Sequence, residues 1–252
     1  MGLIKMISQN NSAKAMIHFS GILGVGVDLC RNYSLEDYKG YDHLELHPDT
    51  TGFKIDEIID ETTDVVVKHG YAEVLLFCES LTVPIVLDIK ERLLSLGVRA
   101  KLIAVNPFVG SNSLKWRILD TWFMRAFLEL INLLSYLLWF LRKVDENKLP
   151  IKYTGFRRNG YSFVTLIDQA RFILSPYEMK RLFVYADLVV LAENDGLMSI
   201  QKIESVHTSE YGCEVVIMPG RHGEDWPNID KIGATRSKYL KTVRGWIDKN
   251  CP

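Results

Sequence analysis

Cysteine is scarce, with four in 252 residues (Cys30, Cys78, Cys213 and Cys251), and no two of them form a Cys-x-x-Cys pair or show metal-ligand spacing. A disulfide scaffold and a thiolate metal centre are therefore excluded. Scattered thiols of this kind are expected to be reduced, in a cytoplasmic protein with no metal and no cofactor. Excess charge is also missing. Thirty Lys and Arg stand against 31 Asp and Glu, a net charge of −1, so nothing draws the whole surface to nucleic acid or to an anionic membrane. No apolar run is long enough for a transmembrane segment. The unbroken stretch Glu129 to Leu141 contains Asn132 and falls short of the roughly 20 residues a span needs. Met1 to Asn10 lacks the apolar core and cleavage site of a secretory signal. Internal repeats and low-complexity linkers are absent as well.

What is present is a core-forming composition, 48% hydrophobic and 24% charged. It suits one large α/β domain with an insertion, or two small domains. Ala15 to Phe19 reads as a strand entering the turn Ser20-Gly21-Ile22-Leu23-Gly24, and Tyr41 to Leu46 as a second strand. Ile55, Ile58, Ile59, Thr62, Val65 and Val66 recur at helical spacing, with Gly70 placed to end the helix. Val74 to Phe77 is a buried strand. Val83 to Leu96 is a helix with Pro84 in its first turn and Gly97 after its end. Lys101 to Val105, Leu188 to Ala192 and Cys213 to Met218 read as further strands, and Ser199 to His207 as a helix. A last helix carries Tyr239, Leu240, Val243, Trp246 and Ile247 on one face. Strands separated by helices imply a mostly parallel sheet covered on both sides. Ligand chemistry in such sheets gathers at the carboxyl ends of the strands.

Three of those ends carry chemistry-bearing residues. Val74-Leu75-Leu76-Phe77-Cys78-Glu79 runs into Ser80, and a helix follows at once, the layout of a strand–nucleophile–helix elbow. Leu188 to Ala192 runs into Glu193-Asn194-Asp195-Gly196, and Val215 to Met218 into Pro219-Gly220-Arg221-His222. A serine hydroxyl needs a base within hydrogen-bond reach, and histidine titrates near neutrality. A carboxylate on the far ring nitrogen fixes the tautomer. Taken singly, Ser80 has the plainer reading of a helix N-cap, Asp195 of a turn residue and His222 of a loop residue. Their order, each at a strand end, favours a triad. Asp187 is the runner-up acid, but it precedes its strand, at the wrong end of the sheet. His18, inside the first strand, reads as a satisfied core or edge histidine, and His43, His47, His69 and His207 have no matching partners.

On these residues the chain resembles the α/β-hydrolase superfamily, over Ala15 to Val109 and about Pro176 to Trp246. The family's His-Gly turn appears here as Ser20-Gly21, and its two elbow glycines are replaced by Cys78 and Thr82. The resemblance implies an α/β-hydrolase fold, with residues 1–110 and 176–252 as its core and 111–175 as a helical cap. It implies Ser80 as nucleophile, Asp195 as acid and His222 as base, with the backbone N–H groups of Ile22 and Leu81 as oxyanion hole. A β-branched threonine at position 82 is expected to push the helix outward or widen the turn, leaving Ser80 less strained than in relatives.

From Trp116 to Leu141 the chain is mostly apolar, with Arg117, Thr121, Arg125, Glu129, Asn132 and Ser135 as a narrow polar stripe. Such a helix, or broken helix pair, needs a second burial partner: an apolar substrate, another subunit as in a homodimer, or a membrane surface. Gly21, Glu79, Trp116, Trp122 and Phe123 are candidate substrate-binding residues, although a solvated or salt-bridged carboxylate is the plainer reading of Glu79. Arg142 to Arg181 holds nine basic residues against four acidic ones. That is a solvated surface, or a mouth that attracts a phosphate-bearing carrier such as coenzyme A or an acyl carrier protein. The reading that joins these features is hydrolysis of a hydrophobic acyl ester or thioester through an acyl-enzyme on Ser80. The altered elbow keeps an acyltransferase, a lyase or cyclase, and a non-catalytic binding protein as alternatives.

Overall fold

The computed structural model describes residues 4–19, 33–46, 55–107, 176–194, 211–220 and 233–251, together with Phe123, Ala126, Phe127 and Leu130. Among these described residues seven strands form one sheet: β1 (Ile4–Ser8), β2 (Lys14–Phe19), β3 (Asp42–Leu46), β4 (Glu73–Glu79), β5 (Arg99–Val105), β6 (Leu188–Ala192) and β7 (Glu214–Met218). Their order across the sheet is β1-β3-β2-β4-β5-β6-β7. Only β1 runs antiparallel to its neighbour; the other five pairings are parallel. The mostly parallel sheet expected from the sequence is therefore present. β1 was not expected. Its residues Ile-Lys-Met-Ile-Ser alternate only partly, because it is a half-exposed edge strand.

Four helices of eight residues or more are described: α1 (Ile55–His69), α2 (Val83–Ser95), α3 (Pro176–Tyr185) and α4 (Gly233–Asn250). The short α3, which the sequence reading did not assign, buries Leu182 and Phe183. Alternate residues of each central strand face opposite ways. Leu76, Cys78, Leu102, Ala104, Val189 and Leu191 pack with Ile58 and Val66 of α1, Val86, Ile89 and Leu93 of α2, and Leu182 and Phe183 of α3. Leu75, Phe77, Ile103, Val105, Leu188 and Val190 pack with Tyr239, Val243, Trp246 and Ile247 of α4. Each large side chain buried in this way contributes about 1.5–3 kcal/mol.

Gly70 and Gly97, at φ +67° and +78°, end α1 and α2 in the left-handed conformation. The same bond pair follows in both. Gly70 N–H donates to Val67 O and Tyr71 N–H to Val66 O; Gly97 N–H donates to Leu94 O and Val98 N–H to Leu93 O. These are Schellman caps, and a side chain at either glycine would be strained.

A polar clamp closes the amino end of the sheet. Lys90 Nζ, on α2, lies 2.5 Å from Asp187 Oδ2 and donates to Tyr185 O at 2.6 Å. The same Asp187 oxygen accepts from Leu102 N–H at 2.7 Å. Asp187 is thus occupied in holding α2, β5 and the start of β6 together.

Candidate active site

The winding of the sheet reverses beside β2. The chain passes from β2 outward to β3, returns to β4 on the other flank of β2, and continues through β5, β6 and β7 in the opposite direction. The carboxyl ends of β2 and β4 therefore flank a topological switch point, where open α/β sheets place their ligand crevice. Phe19 ends β2 and Glu79 ends β4.

Ser80 follows β4 directly. It begins a 3-10 turn (Ser80–Thr82) that leads into α2, with Pro84 in the first helical turn. Its φ is +53°, in the left-handed region that costs a residue with a Cβ of order 1–3 kcal/mol. Only 7% of Ser80 is exposed. The N–H groups at the start of such a turn have no intrahelical acceptor, and Leu81 supplies one of them.

The expectation of a relaxed elbow is overturned by this torsion and by Thr82. Thr82 is 1% exposed. Its hydroxyl lies 2.8 Å from Glu79 O and 3.0 Å from Phe19 O, and donates to these carbonyls. Thr82 itself has ordinary right-handed torsions, φ −80° and ψ −14°. The β-branched side chain fits because its polar arm turns back onto the strand ends instead of pressing on a neighbour.

Cys78, the other departure from the glycine pattern, is fully buried, and its Sγ donates to Ile103 O at 3.6 Å. Burial, reinforced by the Glu79 carboxylate, raises its thiol well above the usual cysteine range. Cys78 is a protonated core residue and no rival to Ser80 as nucleophile. Burial likewise pushes Cys213 up to about 12 and raises Cys251. Cys78, Cys213 and Cys251 are all free thiols.

Beyond β6 and β7 the chain is described to Asn194 and Gly220. The two strand exits run side by side: Glu193 N–H donates to Met218 O at 2.7 Å, and Asn194 N–H to Gly220 O at 2.9 Å. Asp195 follows Asn194 directly, and His222 lies two residues past Gly220. Asp195, His222, Gly21, Ile22, Trp116 and Trp122 lie outside the described residues, as do the helix expected over 199–207, His47, His207 and Cys30.

Glu79 is 1% exposed, which rules out a solvated surface carboxylate. Phe123, Ala126, Phe127 and Leu130 are helical, with Phe123 64% exposed and Phe127 and Leu130 about half exposed. From the sequence, Asn106 reads only as the strand stop before Pro107. It ends β5 at φ +44°, donates its N–H to Val190 O and accepts from the Tyr239 hydroxyl at 3.3 Å. Asn tolerates this conformation better than other residues with a side chain. Asn-Pro after a strand was the available signal.

His18 and His43 also differ from expectation. They lie on neighbouring parallel strands with their rings stacked at 5.7 Å between centroids. His43 Nε2 is 3.1 Å from Tyr38 O, a pure acceptor, so that nitrogen carries the proton. His43 Nδ1 then accepts from His18 Nε2 at 3.4 Å. His18 Nδ1 is buried with no hydrogen-bond partner among the described residues. His18 is therefore a core histidine only half satisfied.

Burial first, and the neighbouring His43 second, pull the His18 pKa down from 6.5 to about 3. Burial also lowers His43. An unfolded chain takes up these protons near pH 6.5 while the folded chain resists. For His18 the stability is thus full above pH 6.5 and declines toward pH 3, by up to about 1.4 kcal/mol per pH unit, and His43 adds in the same direction. Urea unfolding of His18→Phe at pH 7 and pH 5 is expected to show about 2 kcal/mol less acid loss than the parent chain. Equal losses in the two chains would contradict this assignment.

Among the described residues no helix is long and apolar enough to cross a membrane, and no three His, Cys, Asp or Glu side chains form a metal-binding group. No protein-family model matches the sequence, and no curated protein matches it. Solved structures do match. MGS-M2, an α/β-hydrolase enzyme from a Medee basin deep-sea metagenome library, is 14% identical with a TM-score of 0.62, over 97% of this chain and 92% of that one. A carboxylesterase structure from the thaumarchaeon Nitrososphaera gargenis is 12% identical with a TM-score of 0.56, over 97% and 93%. The type II thioesterase BorB of the borrelidin biosynthetic cluster is 12% identical with a TM-score of 0.54, over 96% and 95%. With the sheet order and the strand–turn–helix at Ser80, these matches define the class: the chain has the α/β-hydrolase fold.

Proposed function

We propose that the protein is a serine hydrolase of hydrophobic acyl esters or thioesters, working through an acyl-enzyme on Ser80. The observation that carries the reading is the conformation of Ser80. It is a strained, positive-φ serine between β4 and α2, at the point where the sheet reverses its winding. A structural N-cap has no need of that torsion, because N-cap residues are normally extended. A nucleophile elbow does need it, to lift the hydroxyl clear of the sheet.

His222 is the proposed base and Asp195 the proposed acid. The backbone bonds between the two strand exits support the pairing, since they hold the flanking segments together to within one residue of Asp195 and two of His222. Reach supports it too. Three strand spacings separate β4 from β7, about 14 Å, and the four residues from Met218 to His222 extend about as far before the side chain is counted. The Ile22 and Leu81 N–H groups are the proposed oxyanion donors. Residues 111–175 are the proposed cap; Gly21, Glu79, Trp116, Trp122 and Phe123 are the proposed substrate-binding residues, and the basic stretch 142–181 is proposed to attract the leaving group.

The carboxylesterase and thioesterase among the structural neighbours are why esters and thioesters are the compounds to try. Aryl esters and acyl thioesters of increasing chain length are expected to be hydrolysed, with kcat/KM rising with chain length. His222→Ala is expected to reduce kcat/KM by about 10³-fold or more. Full turnover in His222→Ala would sink the mechanism, and a flat chain-length series would sink the apolar cap.

A further inference from the structure

Thr82 does something that a glycine at its position does not. The parallel ladder between β2 and β4 runs from Lys14 opposite Glu73 to Phe19 opposite Cys78 and stops there. One step further, the Thr82 hydroxyl reaches back three residues to Glu79 O at 2.8 Å and across to Phe19 O at 3.0 Å. With a single proton it serves both carbonyls, in the back-bonding pattern of Ser and Thr near a helix start. Both contacts are buried. The hydroxyl is therefore an additional rung, made by a side chain, beyond the last backbone rung.

Resting on the reading above, we infer that Thr82 is a positioning residue which sets the distance between the nucleophile elbow and the carboxyl end of β2. Thr82 adjoins Leu81, and Phe19 precedes Ser20-Gly21-Ile22, so one hydroxyl ties together the two segments that carry the proposed oxyanion donors. Such donors act only when held in place before the negative charge develops. Productive geometry tolerates errors of only about 0.5 Å. Glycines at this elbow would let the segments approach closely; this chain locks them instead with a hydrogen bond. The bond holds backbone carbonyls at the ends of β2 and β4 and not a side chain, so its loss is expected to fall on kcat more than on KM.

The test compares the parent chain, Thr82→Val, Thr82→Ser and Ser80→Ala, using fluorophosphonate labelling and aryl-ester kinetics. Thr82→Val keeps the shape and removes the hydroxyl. It is expected to lower kcat by about 10- to 100-fold with KM nearly unchanged. Thr82→Ser, which keeps the hydroxyl, is expected to retain kcat within about threefold of the parent. Should Thr82→Val fail to fold, Thr82→Gly takes its place and is expected to be slower than Thr82→Ser. The role of Thr82 falls if the variant lacking the hydroxyl matches the parent, or if Thr82→Ser is as slow as it. A parent chain that is never labelled, with Ser80→Ala equally active, overturns the underlying mechanism and this inference with it. A labelled parent with a fully active Thr82→Val overturns only the inference.

Discussion

Ser80→Ala is expected to abolish labelling by a fluorophosphonate and to cut kcat/KM by about 10³-fold or more, since loss of a triad nucleophile removes the covalent route entirely. The variant should fold, because alanine is no larger than serine. A companion substitution separates chemistry from structure. Ser80→Gly removes the same hydroxyl and also the Cβ that opposes φ +53°. It is expected to be inactive yet more stable than Ser80→Ala by about 1 kcal/mol in urea unfolding. That combination is the signature of strain kept for activity. An elbow serine with a purely structural role predicts the reverse: turnover survives both substitutions.

Asp187→Ala is expected to have its large effect on stability. Asp187 takes the Lys90 ammonium at 2.5 Å and the Leu102 N–H at 2.7 Å. Removing the carboxylate leaves Lys90, whose side chain is 7% exposed, with Tyr185 O as its remaining bond in the clamp. Breaking a fully buried pair costs about 3–5 kcal/mol. Asp187 is one-third exposed, and solvent screening reduces the expectation to about 2 kcal/mol. The kinetics of the folded fraction should stay close to those of the parent. Asp195→Ala is expected to do the opposite, losing rate at full stability. Chemical denaturation and kcat/KM on the two variants together decide which aspartate serves the site, and a slow, stable Asp187→Ala would reassign the acid.

Legibility in the sequence followed the range of the interaction. Gly70 and Gly97 marked their helix ends because a Schellman cap is written in consecutive residues. The central strands were legible because strands buried on both faces are continuous apolar runs. β1 was not, since an edge strand keeps one face and one side in water and its pattern blurs. The site divided along the same line. The position of Ser80 between strand and helix was visible in ten residues, and the strand ends before Asp195 and His222 were each visible as local apolar runs. The role of Thr82 was misread because its partner Phe19 is 63 residues away. The His18–His43 pair was missed because only the parallel register of β2 and β3 brings the rings together.

Local pattern was enough for the alternation of β2 to β7 with α1, α2 and α4, for the ends of α1 and α2, and for which residues stand at the carboxyl ends of the strands. Local propensity, backbone torsion and apolar periodicity act within a few residues, and a linear pattern records them. Tertiary structure alone decided the strand order that makes β2 and β4 flank a switch point, the left-handed torsion of Ser80, and the hydroxyl bridge from Thr82 to Phe19. It also decided that Asp187 belongs to a clamp with Lys90. Each of these depends on groups distant in the chain meeting across a parallel sheet, where neighbours are set by the winding of the strands and not by spacing in the sequence.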